Sequence, residues 1–218
     1  MIERRFDFAD GAALAVALAG DVAAELDRAI EARGHAALAV SGGTTPIQFF
    51  KALSRRKLSW SRVTITLVDE RQVPPTSERS NARLVRENLL QNEAAKARFE
   101  PLLNNPGAAA VPPFDVVVLG MGLDGHTASF FPASPELAAV TAPAAAAKIM
   151  AVTAPGVPEP RLTFTLPWLL RAALLCLHIE GTGKQKVLQQ ALGEGPVAAM
   201  PIRAVLNAET PLSLYWCP

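Results

Sequence analysis

The 218 residues carry 21 Lys and Arg against 20 Asp and Glu, a formal net charge of +1; half are hydrophobic and 19% are charged. A chain of this mass buries about 70% of its unfolded surface, which predicts a single domain over 1–218, and its ample apolar content excludes general disorder. The balanced charge excludes the clustered basic face that a nucleic-acid partner requires.

The run at 12–19 is apolar, but Asp21, Glu25, Asp27 and Arg28 follow it, so 10–33 is expected to be an amphipathic helix and not a cleaved leader. No stretch of 18 apolar residues exists, so no membrane partner is expected and a cytoplasmic location is the default. Short β-rich runs recur at 36–40, 63–68, 116–119, 149–152, 174–179 and 212–216. Several are unbroken and not alternating, the pattern of strands buried on both faces of a parallel sheet. Helices are expected at 46–54, 80–90 and 183–192, the first opened by Pro46 after the capping pair Thr44-Thr45. The Pro/Gly-rich pieces at 104–113 and 153–160 read as loops, and the Ala-rich stretch 138–147 suits either helix or loop. Cys176 and Cys217 are too few for a disulfide scaffold, and Cys176 sits in an apolar run as a small buried hydrophobe. No Cys/His cluster suggests a metal. Strand–helix alternation predicts a three-layer, Rossmann-like α/β sandwich with a mainly parallel central sheet, whose ligands sit beyond the carboxyl ends of the strands.

Chemistry is therefore sought after each strand. Ser41-Gly42-Gly43-Thr44-Thr45-Pro46 follows the first; it reads either as a phosphate cradle of backbone amides and hydroxyls or as a plain strand–turn–helix corner. It lacks the spacing and lysine of a P-loop. Asp69-Glu70-Arg71 follows the second: Arg71 could hold an anion or oxyanion with the carboxylates orienting it or contacting sugar hydroxyls, or the run could be a solvated charge run with an internal ion pair. The third is followed by Gly120-Met121-Gly122-Leu123-Asp124-Gly125-His126, a literal GxGxxG. The dinucleotide reading fails, because Pro132 stops the helix it needs and no acid lies about 20 residues on. The loop instead offers Asp124 and His126 to a pocket, with His126 a candidate general base acting on water, or merely a cap for the next turn. His35 and His178 read as structural. Arg161 and Lys184 are two further cations, Lys184 at a strand-to-helix junction where a cation would complete a phosphate site.

SGGTTP at 41–46, VDERQVP at 68–74, SNARLVRENLL at 80–90, LGMGLDGHTASFFP at 119–132, RLTFTLP at 161–167 and GTGK at 181–184 together resemble the 6-phosphogluconolactonase family, in its order and over about 36–190. Some motifs are shared with glucosamine-6-phosphate deaminases of the same fold group, and Phe130 stands where leucine is usual. The resemblance implies hydrolysis of 6-phospho-D-glucono-1,5-lactone in the oxidative pentose phosphate pathway, with no cofactor and no metal. It implies His126 as general base, Arg71 as active-site arginine, and Gly42, Gly43, Thr44, Arg161 and Lys184 around the 6-phosphate. Asp69, Asn81 and Asp124 are implied as contacts or orienting groups. The expected partner is the phosphorylated sugar lactone, and the expected assembly a monomer or small homo-oligomer. The isomerase/deaminase alternative needs an acid shortly after the histidine, and Thr127 to Ala133 contains none. A non-catalytic sugar-phosphate-binding module would have no use for His126.

Overall fold

A computed structural model describes residues 2–218. In chain order the elements are β1 (Ile2–Asp7), α1 (Gly11–Arg33), β2 (Ala36–Val40), α2 (Ile47–Leu53), β3 (Val63–Leu67), β4 (Asp69–Arg71), α3 (Asn81–Asn88), β5 (Arg98–Glu100), α4 (Gly107–Ala110), β6 (Val116–Leu119), α5 (Leu137–Thr141), β7 (Ile149–Val152), β8 (Arg161–Phe164), α6 (Leu166–Leu169), β9 (Leu174–Glu180), α7 (Thr182–Leu192), α8 (Arg203–Leu206) and β10 (Leu212–Cys217), with short 3-10 turns at Trp60–Arg62 and Asn92–Lys96.

Seven strands form one all-parallel sheet in the order β1-β10-β9-β6-β2-β3-β5. The unbroken apolar runs lie at its centre: every residue of β2 and β6 is buried, as is all of β9 but its last. Right-handed crossovers moving toward β5 carry α1, α2 and α3 on one face, and those moving toward β1 carry the later helices on the other. The direction reverses between β2 and β6. That point is where an open parallel sheet leaves a crevice beyond its carboxyl ends. The loops after β2 and β6 are the two glycine-rich segments singled out in the sequence.

Helix α1 follows its sequence signals closely. The Asp10 side chain accepts the Ala13 N–H at 2.8 Å, Gly34 adopts a left-handed φ of 80°, and Leu14, Leu18, Val22 and Leu26 are buried one turn apart. The expected helix at 80–90 is α3, capped by Ser80, whose hydroxyl accepts the Arg83 N–H. The helix at 46–54 begins at Ile47 without a side-chain cap, so the Thr44-Thr45 pair does not serve that purpose.

Other departures have local causes. The run at 149–152 is a strand, but it belongs to a separate antiparallel sheet, β4-β8-β7, and not to the parallel one. The same sheet takes in the charged triplet Asp69-Glu70-Arg71, read as a loop, and Arg161–Phe164. Strands β1 and β5 lie at the two edges of the main sheet, so Arg4, Arg5 and Arg98 stand on strands without the apolar signature of buried ones. The loop at 104–113 holds the single turn α4, and the Ala-rich stretch is helical only to Thr141. Both cysteines are free and buried, and burial pushes the Cys176 thiol upward.

Candidate active site

A cleft of about 300 Å³ opens at the carboxyl ends of β2 and β6. Its walls include Gly42, Gly43, Thr44, Asp69, Arg71, Asn81, His126, Arg161 and Lys184, so nine of the ten residues expected from sequence meet in one cavity. The tenth, Asp124, stands behind His126 and reaches it directly: Nδ1 of the imidazole lies 2.5 Å from Oδ1 of Asp124.

The loop after β6 is held by its own backbone and by its neighbours. Gly122 N–H donates to the His126 carbonyl at 2.9 Å, Gly125 N–H to the Gly122 carbonyl at 3.1 Å, and the Thr127 hydroxyl to the Gly120 carbonyl at 2.8 Å. A Cβ at residue 122 would occupy the imidazole's own space, so that glycine exists to let the ring fold back. Gly125 has φ of 78° and its carbonyl accepts the Ile202 N–H at 2.8 Å. Gly120 N–H donates to the Ser41 hydroxyl at 3.0 Å, which joins this loop to the one after β2. The glycines thus shape a presentation loop for one imidazole, and no helix follows until α5, beyond Pro132. On the cavity side the His126 ring packs against Phe131 at 4.7 Å between centroids, and Arg161 lies over the same Phe131 ring at 5.5 Å.

The small antiparallel sheet delivers the arginines. Arg71 and Arg161 face each other in the β4–β8 pairing. Burial, then the neighbouring Arg71 charge, pull Arg161 below the usual arginine range, while Asp69 and Glu159 push the other way. Two guanidiniums so placed favour an anion beside them. Arg71 Nη1 donates to the Arg79 carbonyl at 2.6 Å. Glu70, between Asp69 and Arg71, does not orient either arginine side chain. It is 2% exposed and turns to the start of α3, where it accepts the N–H groups of Asn81 and Ala82 at 2.8 and 2.7 Å, and that of Arg71 at 2.7 Å. Asp69 accepts the buried Ser129 hydroxyl at 2.6 Å, which ties β4 to the histidine loop.

At the other wall, Gly42 lies so close to Asn81 that any Cβ would overlap the amide, whose Nδ2 donates to the Asp69 carbonyl at 2.9 Å. Gly43 has φ of 91°, a left-handed conformation that glycine adopts freely. Lys184 Nζ crosses from α7 to donate to the Thr45 hydroxyl at 3.0 Å. Its burial pulls it below the ordinary lysine range, against an opposing pull from Glu180. Arg71 Nε, Asn81 Oδ1 and Arg161 Nε are buried without a hydrogen-bond partner, and all three belong to cavity residues. Buried polar atoms are rarely left so; the two arginine nitrogens are donors and the Asn81 oxygen is an acceptor.

Sequence reasoning did not single out Phe131, and it placed Ser129, Ser41 and Glu70 without the contacts they make. The first two lie inside the long glycine–histidine motif, but nothing local shows what they touch. His178, read as structural, is buried as expected and also lines the cleft. Among the described residues no group of three or more His, Cys, Asp or Glu could hold a metal ion, and no helix is long and apolar enough to cross a membrane.

Known proteins resemble the chain over nearly its whole length. The family profile described as glucosamine-6-phosphate isomerases/6-phosphogluconolactonase matches residues 9–216. A 6-phosphogluconolactonase of Rhizobium meliloti (strain 1021) is 54% identical, with 97% of each chain covered, and one of Pseudomonas putida is 45% identical over 97% of this chain and 92% of its own. The crystal structure of a 6-phosphogluconolactonase from Shewanella baltica OS155 superposes with a TM-score of 0.94 at 42% identity, covering both chains completely. With nearly its whole length matched and its fold the same, the chain belongs to the glucosamine-6-phosphate isomerase/6-phosphogluconolactonase family.

Proposed function

We propose that the chain hydrolyses 6-phospho-D-glucono-1,5-lactone to 6-phospho-D-gluconate in the oxidative pentose phosphate pathway. The observation that carries this reading is the His126 imidazole, backed by the Asp124 carboxylate, lining the same cleft of about 300 Å³ as Arg71, Arg161 and Lys184. Ionised Asp124 only accepts, so it holds the proton of His126 on Nδ1 and leaves Nε2 as the basic atom. Nε2 takes a proton from water as the oxygen attacks the ring carbonyl. The negative charge that develops on the carbonyl oxygen is met by Arg71, a role worth about 2.7–4 kcal/mol for one donor. Collapse of the tetrahedral intermediate breaks the ring C–O bond, and the imidazolium returns its proton to the departing C5 oxygen. Gly42, Gly43, Thr44, Lys184 and Arg161 hold the 6-phosphate, remote from the reacting carbon, so that its binding energy aligns water and carbonyl. Asp69 and Asn81 shape the sugar side. The reading involves no cofactor, a cytoplasmic location and a monomer or small homo-oligomer.

An isomerase or deaminase would need a further carboxyl group near the histidine. Glu136 is the first acid after it, and it is engaged elsewhere, accepting the Thr153 N–H and the Ser134 hydroxyl. The test is direct assay of lactone opening by the purified protein, corrected for spontaneous hydrolysis. Turnover above the blank, falling about 10²- to 10⁴-fold in His126→Gln with 6-phosphogluconate binding retained, supports the reading. A rate no faster than the blank overturns it.

A further inference from the structure

The fourth buried side-chain atom without a partner is Nδ1 of His178. The residue is 2% exposed, lies near the carboxyl end of β9, and lines the same cleft as Thr44, Thr45 and Lys184. Its other nitrogen, Nε2, lies 2.9 Å from Oε1 of Glu180, two residues on and therefore on the same side of the strand. A carboxylate accepts and cannot donate, so Nε2 carries the hydrogen and a neutral ring leaves Nδ1 a bare lone pair. Among the described residues nothing answers that lone pair, and nothing would answer an N–H there.

We propose that His178 is a phosphate-responsive group of the site: on binding of a phosphate monoester it takes a proton at Nδ1 and donates it in a hydrogen bond to a phosphate oxygen, while Nε2 stays on Glu180. The inference rests on the phosphate end assigned above. The proton comes from solvent, and no covalent bond to carbon or phosphorus changes.

The surroundings favour this arrangement. Glu180 is the one carboxylate bonded to the ring, and its charge also acts on Lys184 at the start of α7, offsetting part of the lysine's attraction for a dianion. A phosphate monoester loses its second proton near pH 6, so at neutral pH it brings two negative charges to that end. A cationic His178 between Glu180 and the phosphate would then have an acceptor at each nitrogen. The other elements packed nearby bring no competing partner. Helix α2 presents the Phe49 ring edge-on at 6.3 Å. Strand β10 places Tyr215 opposite His178, and its hydroxyl is engaged with Asp21 of α1 at 2.6 Å. Burial, followed by that bond, pushes the Tyr215 phenol upward, so it remains a neutral donor to Asp21. Asp10, at the start of α1, is occupied in capping Ala13.

The test uses the full chain labelled with ¹⁵N in its histidine rings. On saturation with 6-phosphogluconate, the His178 Nδ1 resonance should move from the bare-nitrogen to the protonated position, its assignment fixed by its loss in His178→Gln. Calorimetry in buffers of different ionisation enthalpy should show a proton uptake in the parent protein that is absent in His178→Gln. Gluconate, which lacks the phosphate, should leave the resonance in place. An unmoved Nδ1 in protein saturated with 6-phosphogluconate overturns the inference, as does an equal shift with gluconate. If calorimetry detects no binding of 6-phosphogluconate at all, the function proposed above fails and this inference falls with it.

Discussion

One oxygen of Asp124 serves His126 twice: Oδ1 lies 2.5 Å from the ring Nδ1 and accepts the His126 backbone N–H at 3.1 Å. The pair is built within three residues of one loop. Burial alone would raise the Asp124 carboxyl, but its hydrogen bonds and charge interaction with His126 outweigh this and hold it below the ordinary carboxylate range. With a depressed value, the carboxylate is in place at neutral pH and the interaction is lost as pH falls into the acid range.

Asp124→Asn removes the charge and keeps the shape. It should lower kcat about a hundredfold, the low end of what general-base catalysis contributes, with the 6-phosphogluconate Kd little altered. Steady-state kinetics beside calorimetry separates the two effects. Unchanged turnover would take Asp124 out of the mechanism.

Lys184 should act on binding more than on chemistry, because its ammonium meets the phosphate in ground and transition states alike. Lys184→Ala should raise KM about 10- to 100-fold, the equivalent of one charge-assisted hydrogen bond. Its buried ammonium loses its proton at lower pH than an ordinary lysine. Affinity for 6-phosphogluconate should therefore begin to weaken below the usual lysine value of about 10.4. A titration by calorimetry checks the sign: affinity constant up to that value would place the phosphate elsewhere.

Gly42→Ala tests the contact between the two walls. Its methyl group must displace Asn81, whose amide is pinned to the Asp69 carbonyl. Overpacking of this kind costs about 1–3 kcal/mol, and thermal unfolding should show the loss. The larger effect is expected in kcat/KM, at least tenfold in order of magnitude, because the amide and the loop after β2 both line the cleft. Activity equal to the parent protein's would show that the cleft tolerates the shift.

Glu70 should matter for stability before catalysis. Glu70→Ala strands three backbone N–H groups, those of Asn81 and Ala82 at a buried helix start and that of Arg71 on β4. The loss should be about 3 kcal/mol or more, and each kcal/mol lowers Tm by about 2–4 °C in a chain of this size. A melting temperature within a degree of the parent's would mean that water replaces the carboxylate without cost.

Several residues read from sequence as carriers of chemistry converge in the cleft because they lie at or just beyond a strand end. Gly42 and Gly43 follow β2, Arg71 ends β4, His126 follows β6, and Lys184 stands on the first turn of α7 after β9. Parallel strands end on one side of a sheet, so strand-end position is itself spatial information. Residues such as Phe131 and Ser129 carried no comparable signal, since their partners Arg161 and Asp69 are 30 and 60 residues away along the chain.

Periodicity and caps, read from the amino-acid order alone, located α1, α2, α3 and α7, the central strands, and the glycine-rich loops after β2 and β6. That succeeded because apolar runs and caps act over a few residues. Only tertiary structure decided that Asp69–Arg71 pairs with Arg161–Phe164 in a second sheet, that Glu70 serves a helix end and not an arginine, and that His178 reaches the cleft. Those outcomes depend on hydrogen-bond partners supplied by segments far apart in the chain, and local sequence does not encode which distant donor will meet a given acceptor.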